Sequence, residues 1–199
     1  MAPARSRLTT YLVLFRGINV GGKNKVPMAE LKALLSELGY QDVRTYIQSG
    51  NAVVRSNETA ETIARRIEEA LPTRFKLDTE LIRVLALSRA ELEAVIAGRP
   101  NGFGDQPGTY HSDAIFLMGV DTAGAMRAFS PREGVDVVWP GDGVVYSQRL
   151  STQRTKSRLN RIMSSPVYKS MTIRSWQTTM ALMDLVKAVD DGETSASSR

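Results

Sequence analysis

The chain contains no cysteine. Disulfides, thiolate nucleophiles, cysteine-held zinc and iron–sulfur clusters are therefore excluded together. Histidine is almost as scarce, His111 being the single one. Neither a Ser-His-Asp triad nor a multi-histidine metal site is expected, because one imidazole would have to serve as the whole base or ligand set. His111 precedes an expected strand and reads as structural. Long apolar runs are also missing. The apolar segment 11–15 stops at Arg16, too short for the core of a signal peptide, and nothing approaches the roughly 20 apolar residues of a membrane-spanning helix. The expectation is a cytoplasmic protein with no membrane partner, no metal and no cofactor. The oligomeric state is not legible.

Acidic residues are absent from two stretches. Residues 143–183 carry Arg149, Arg154, Lys156, Arg158, Arg161, Lys169 and Arg174 with no Asp or Glu, and residues 1–29 carry five basic residues with none. Positive charge clustered in this way raises the local concentration of anions such as phosphates; a solvated basic surface is the plainer reading. At 199 residues, with 42% hydrophobic and 24% charged residues and a net charge of +5, the chain can bury one compact core or two small ones.

The pattern predicts a buried strand over 11–16, a Gly- and Asn-rich loop over 17–25, and a helix from Val26-Pro27 through Leu38. In that helix Met28, Leu31, Leu34, Leu35 and Leu38 share one face, and Gly39 stops it. Strands over 43–48 and 51–55 read as a hairpin turning at Ser49-Gly50. A helix over 59–71 and a strand over 77–85 follow, so the order is β-α-β-β-α-β, the ferredoxin-like unit. Ser88 and Glu91 have the spacing of a capping box for the next helix. Beyond the Pro- and Gly-rich segment 99–108, a strand over 113–118, a helix over 122–129, strands over 135–139 and 144–148, and helices over 155–163 and 173–189 repeat the theme. The fold class is thus α+β: two ferredoxin-like (βαββαβ-type) subdomains with antiparallel sheets and an added C-terminal helix. The expected division is 1–98 for the first subdomain, 99–108 for a linker, 109–190 for the second, and 191–199 for a disordered tail.

In a ferredoxin-like unit the exit of the first strand and the hairpin between the second and third lie at the same sheet end. That rule predicts a shared rim formed by Arg16, Asn19, Gly22, Lys23, Asn24 and Lys25 with Ser49, Gly50 and Asn51, close to the connection that carries Arg74 and Lys76. Glycines let backbone N–H groups approach an anion, and the following helix presents its N-terminus there. The alternative is that these glycines only turn the chain and the asparagines satisfy nearby backbone. Residues 17–23 also match G-x-x-x-x-G-K, but Asn24 stands where a phosphate-binding loop needs Ser or Thr, and a hairpin follows where that fold needs a parallel crossover. Further along, Lys156 and Ser157, and Arg174 and Trp176, are read as opening two helices; Trp176 suits either base stacking or core packing. No catalytic residue stands out.

The runs Arg16-Gly17-Ile18-Asn19-Val20-Gly21-Gly22 and Thr45-Tyr46-Ile47-Gln48-Ser49-Gly50-Asn51, with Met28, Leu31 and Leu35 between them, resemble the bacterial domain-of-unknown-function family 1697. The resemblance extends over nearly the whole chain, with Thr155-Lys156-Ser157 and residues 172–176 fitting its C-terminal pattern, and Ala52 standing where a larger apolar residue is expected. It implies two α+β, ferredoxin-like subdomains and brings no activity with it. Three functions stay open: binding of nucleic acid or a phosphorylated small molecule, an enzyme acting on a small phosphorylated or acidic metabolite, and a structural or protein-interaction module.

Overall fold

The computed structural model describes residues 8–196, with side chains through Gly192. Its first elements are β1 (Thr9–Phe15), α1 (Met28–Glu37), β2 (Gln41–Thr45), β3 (Asn51–Ser56), α2 (Ala60–Arg74), β4 (Val84–Ser88) and α3 (Arg89–Ala97). There follow β5 (Tyr110–Leu117), α4 (Thr122–Met126), β6 (Asp136–Pro140), β7 (Val144–Leu150), three 3-10 turns (Ser151–Lys156, Leu159–Ser164, Pro166–Ser170), β8 (Met171–Ser175) and α5 (Trp176–Ala196). Two compact units result, one formed by the chain up to Leu92 and from Leu182 onward, the other by Glu93–Ala181.

Each unit contains a four-stranded sheet, with strand orders β2-β3-β1-β4 and β6-β7-β5-β8. All pairings are antiparallel, and the registers correspond: Tyr11 lies opposite Val54 and Ser88, as Asp113 lies opposite Ser147 and Ser175. Both units are therefore ferredoxin-like. In the first, Tyr11, Val13 and Phe15 of β1 and Ala52 and Val54 of β3 pack with Leu31 and Leu35 of α1 and Ile63, Ile67 and Leu71 of α2. The heptad-like spacing of those helical residues is what turns one face of each helix to the sheet. Thr59 starts α2 by accepting the Thr62 amide on its side chain, and the capping box of α3 forms as expected, Glu91 Oε2 accepting from the Ser88 backbone and hydroxyl at 2.7 Å each.

Several expectations need correction. The strand expected over 77–85 begins only at Val84, because Asp78 and Thr79 are held by Asn24 in an irregular segment. The hairpin turn is longer than Ser49-Gly50, since β2 ends at Thr45. The helix expected over 155–163 is a pair of 3-10 turns, so Lys156 ends a turn and Ser157 follows it rather than opening a helix. Met171–Ser175 is the edge strand β8, which places Arg174 in a sheet and leaves Trp176 to open α5. Finally, α5 runs through Ala196, so residues 191–196 of the expected tail are helical, while 197–199 lie outside the described residues. From Leu182 onward this helix belongs with the first unit, where Asp190 accepts from Thr10 and, at 2.8 Å, from Arg89.

Segment 99–108 is not an open linker. Phe103 is fully buried and meets Trp139, Tyr146 and Trp176 edge to face, with ring centroids 6.0, 5.3 and 5.1 Å away. Edge-to-face geometry at these distances is favourable beyond the area buried.

Candidate functional site

The rim of the first unit forms as chain direction requires. The Phe15 amide donates to Gly50 O at 2.9 Å, the Arg16 amide to Arg83 O at 2.9 Å, and Asn19 Nδ2 to Gln48 O at 3.0 Å. Between Val20 and Lys23 the chain makes a tight turn, closed by the Lys23 amide donating to Val20 O at 3.0 Å. Its central residues Gly21 and Gly22 have φ of 58° and 76°, the paired left-handed conformation of a type I′ turn, which glycine adopts without penalty. Lys23 and Lys25 are exposed on either side of buried Asn24, and Arg16 is half-buried.

The three asparagines serve the backbone. Asn19 Nδ2 donates to Val26 O at 2.8 Å while its Oδ1 accepts from the Val26 amide at 2.8 Å. Asn24 is buried; its Nδ2 donates to Gly17 O at 3.0 Å and its Oδ1 accepts from the Asp78 amide at 2.8 Å. Asn51 is fully buried and donates to Tyr46 O and Ser49 Oγ at 3.1 Å each. Asn24 and Asn51 thus act as pins that hold the rim in place rather than as groups offered to a ligand. An apolar residue at either position would leave Gly17 O, the Asp78 amide or Tyr46 O without this partner, at a cost of about 1–3 kcal/mol for each such group that is buried.

An open cleft of about 510 Å³ lies on this rim, lined by Asn19, Lys25, Thr45, Ile47, Gln48 and the start of α1 at Val26–Ala29. The first turn of α1 has Pro27 as its cap residue and no side-chain cap bond, and the start of that turn at Pro27, Met28 and Ala29 lines the cleft. Ile47 is half exposed with φ of 46°. A β-branched residue in that conformation is a true outlier, and such strain concentrates at binding loops. Neither Ile47 nor Gln48 was singled out from the sequence as a site residue; only the turn position signalled them.

The remaining site candidates fall in the second unit. Lys156 is exposed and Ser157 Oγ accepts from the Leu159 amide at 3.3 Å. Arg174 is buried, donates to Thr172 Oγ1 at 2.9 Å and Ile173 O at 2.8 Å, and burial pulls its pKa down to about 10. Trp176 is buried against Phe103 with Arg99 over its ring at 5.8 Å, so core packing accounts for it. A charged group was missed: His111 Nε2 lies 3.1 Å from Asp113 Oδ1, and Arg149 Nη1 lies 3.7 Å from Asp113 Oδ2. The cross-strand pairing His111↔Arg149, two residue pairs along from Asp113↔Ser147 and so on the same face, brings them together, a relation invisible without register.

Burial pushes the Asp113 carboxyl above its usual range, against opposite pulls from His111 and Arg149. Ionisation then costs the folded protein more than the unfolded chain. The carboxyl's stabilising contribution is complete below its unfolded pKa and is lost as pH rises through the folded value. Asp113→Asn removes that loss, so the stability of the variant relative to the parent should rise with pH over the range above about pH 4. Thermal melts across that range test it, and curves that stay parallel would refute the assignment.

Among the described residues no helix is long and apolar enough to cross a membrane. The fold and rim define an α+β protein made of two ferredoxin-like units. The chain belongs to DUF1697, a family described as proteins of unknown function, whose model matches residues 8–146. That match stops at Tyr146, short of the C-terminal segments that the sequence resemblance included. In structure the chain is similar to the conserved bacterial protein SP0830 from Streptococcus pneumoniae, with a TM-score of 0.73 and 25% sequence identity over 90% of this chain and 99% of that one. No curated protein matches.

Proposed function

We propose that the rim of the first unit binds a phosphate-bearing ligand of the nucleotide or nucleic-acid kind. The observation that carries this reading is the open cleft at the uncapped first turn of α1, with Lys25 on its lip. Helix N–H groups and a lysine supply what an anion needs. Pro27, Met28 and Ile47 on the cleft wall offer apolar surface to a flat base, while Thr45 and Gln48 supply hydrogen-bonding groups for its edge. Exposed Lys23 and half-buried Arg16 extend the positive field beyond the cleft. The phosphates rather than the base would then carry most of the affinity.

Binding of mononucleotides and short single-stranded oligonucleotides, followed by fluorescence anisotropy over a salt series, tests the proposal. Affinity should fall steeply with salt, because each phosphate contact releases about 0.7 of a counterion on a single strand. Lys23→Ala and Lys25→Ala should each lower the slope of log K against log salt by about 0.7. A slope near zero, or one that Lys25→Ala leaves unchanged, would rule the rim out.

A further inference from the structure

The second unit keeps a cavity where the first has solid core. In the first sheet Tyr11 and Val54 are buried in the cluster that includes Ile63 and Ile67 of α2. The matching registers make Asp113 and Ser147 their counterparts in the second sheet. A tyrosine and a valine of the first core correspond to a carboxylate and a hydroxyl here. The helix that would cover them is replaced by the 3-10 turns Leu159–Ser164 and Pro166–Ser170, whose shorter cover leaves space above the sheet. The cavity measures about 200 Å³, with Asp113, Ile115, Ser147, Arg149 and Ile173 on its sheet side. Phe129, Leu159, Ile162, Met163 and Tyr168 line the opposite side.

Size and polarity together specify an occupant. A dry cavity of about 150 Å³ accepts a benzene ring, so this one has room for a branched aliphatic group or a single ring with a short polar head. The polar groups sit in one corner. His111 holds Asp113 Oδ1 at 3.1 Å, whereas Arg149 stands 3.7 Å from Oδ2, beyond hydrogen-bond range. The carboxylate and the guanidinium therefore form an ion pair too long for a direct hydrogen bond, and both line the cavity. A ligand bearing only a cation would also meet Arg149, and one bearing only an anion would also meet Asp113. A molecule with both charges on neighbouring atoms satisfies the two at once.

We infer that this cavity binds a free α-amino acid with an apolar side chain, its ammonium on Asp113, its carboxylate on Arg149 and its side chain between Ile115 and the covering turns. The site lies within the second unit and is independent of the rim, so Lys25→Ala should leave it unaffected.

Titration calorimetry of the full chain with L-leucine, L-isoleucine, L-methionine and L-phenylalanine tests the inference. Isocaproate and isoamylamine, each with leucine's side chain and one of its charges, are the controls. At least one amino acid should bind, and both controls should bind at least about tenfold more weakly than leucine, the loss of one charge-assisted hydrogen bond. Asp113→Asn and Arg149→Met should each weaken amino-acid binding by about 10- to 100-fold, with circular dichroism checking that the variants fold. Arg149→Lys, which keeps the charge and loses the planar fork, should give a smaller loss. Should a variant fail to fold, the two single-charge controls still decide. A control that binds as tightly as leucine overturns the zwitterion assignment. Absence of binding by all four amino acids, or binding unchanged in folded Asp113→Asn and Arg149→Met, overturns the site itself.

Discussion

Phe103→Ala is expected to lower the stability of the second unit by about 4 kcal/mol. Truncating a fully buried Phe removes its transfer free energy and leaves a cavity, together costing about 3–5 kcal/mol. Here the ring also gives up three edge-to-face contacts, with Trp139, Tyr146 and Trp176, which places the expected value within that range rather than at its foot. The chain has two tryptophans, and both touch this ring, so their fluorescence reports directly on the site. Urea denaturation followed by that signal should show a large fall in midpoint. An unfolding free energy within about 0.5 kcal/mol of the parent, as for a surface substitution, would mean that segment 99–108 is the linker its composition suggests.

The second large effect belongs to Gly50. Its φ is 77°, and a Cβ placed there would stand 2.7 Å from Ile18 Cγ1 and 2.9 Å from Phe15 Cβ. Left-handed backbone costs a residue with a side chain about 1–2 kcal/mol, and forcing a methyl into packed core costs about 1–3 kcal/mol more. Gly50→Ala should therefore lose about 3 kcal/mol. Gly22 separates the two contributions, because its φ is 76° and nothing lies within 4 Å of the same added atom. Gly22→Ala should lose only the backbone part, about 1 kcal/mol. Equal losses at the two positions would show that the rim yields to the added methyl and that Gly50 does not lock the turn against Ile18. Because Gly50 O accepts from the Phe15 amide, moving this turn should also weaken phosphate-ligand binding at the rim.

Local pattern made the first unit legible. The spacing of Leu31, Leu34 and Leu35 and the Ser88–Glu91 box are each decided within a few residues, so the order of elements could be read. The second unit resisted for a related reason. Leu159 and Ile162 are three apart, a spacing that suits a 3-10 turn as well as an α-helix. Met171–Ser175 is short, and its apolar residues alone do not distinguish a strand from the first turn of the helix that follows. Segment 99–108 has the Pro and Gly content of a linker, and only Phe103 marks it as packed. At the rim, chain direction alone brought loop and hairpin together, but the fate of each asparagine depended on partners as distant as Asp78.

By itself the amino-acid sequence determined the alternation of strands and helices in the first unit, the two-unit plan, the positive charge on the first loop and the chemistry that cysteine and histidine scarcity excludes, since all of these are set by composition and by periods of two or 3.6 residues. Only the tertiary structure decided that Asn24 and Asn51 are buried pins, that Ile47 and Gln48 line the cleft, and that Asp113, His111 and Arg149 meet beside a cavity. Those outcomes depend on strand register and on hydrogen bonds between residues far apart in the chain, and register can move an entire face of side chains without changing any local pattern.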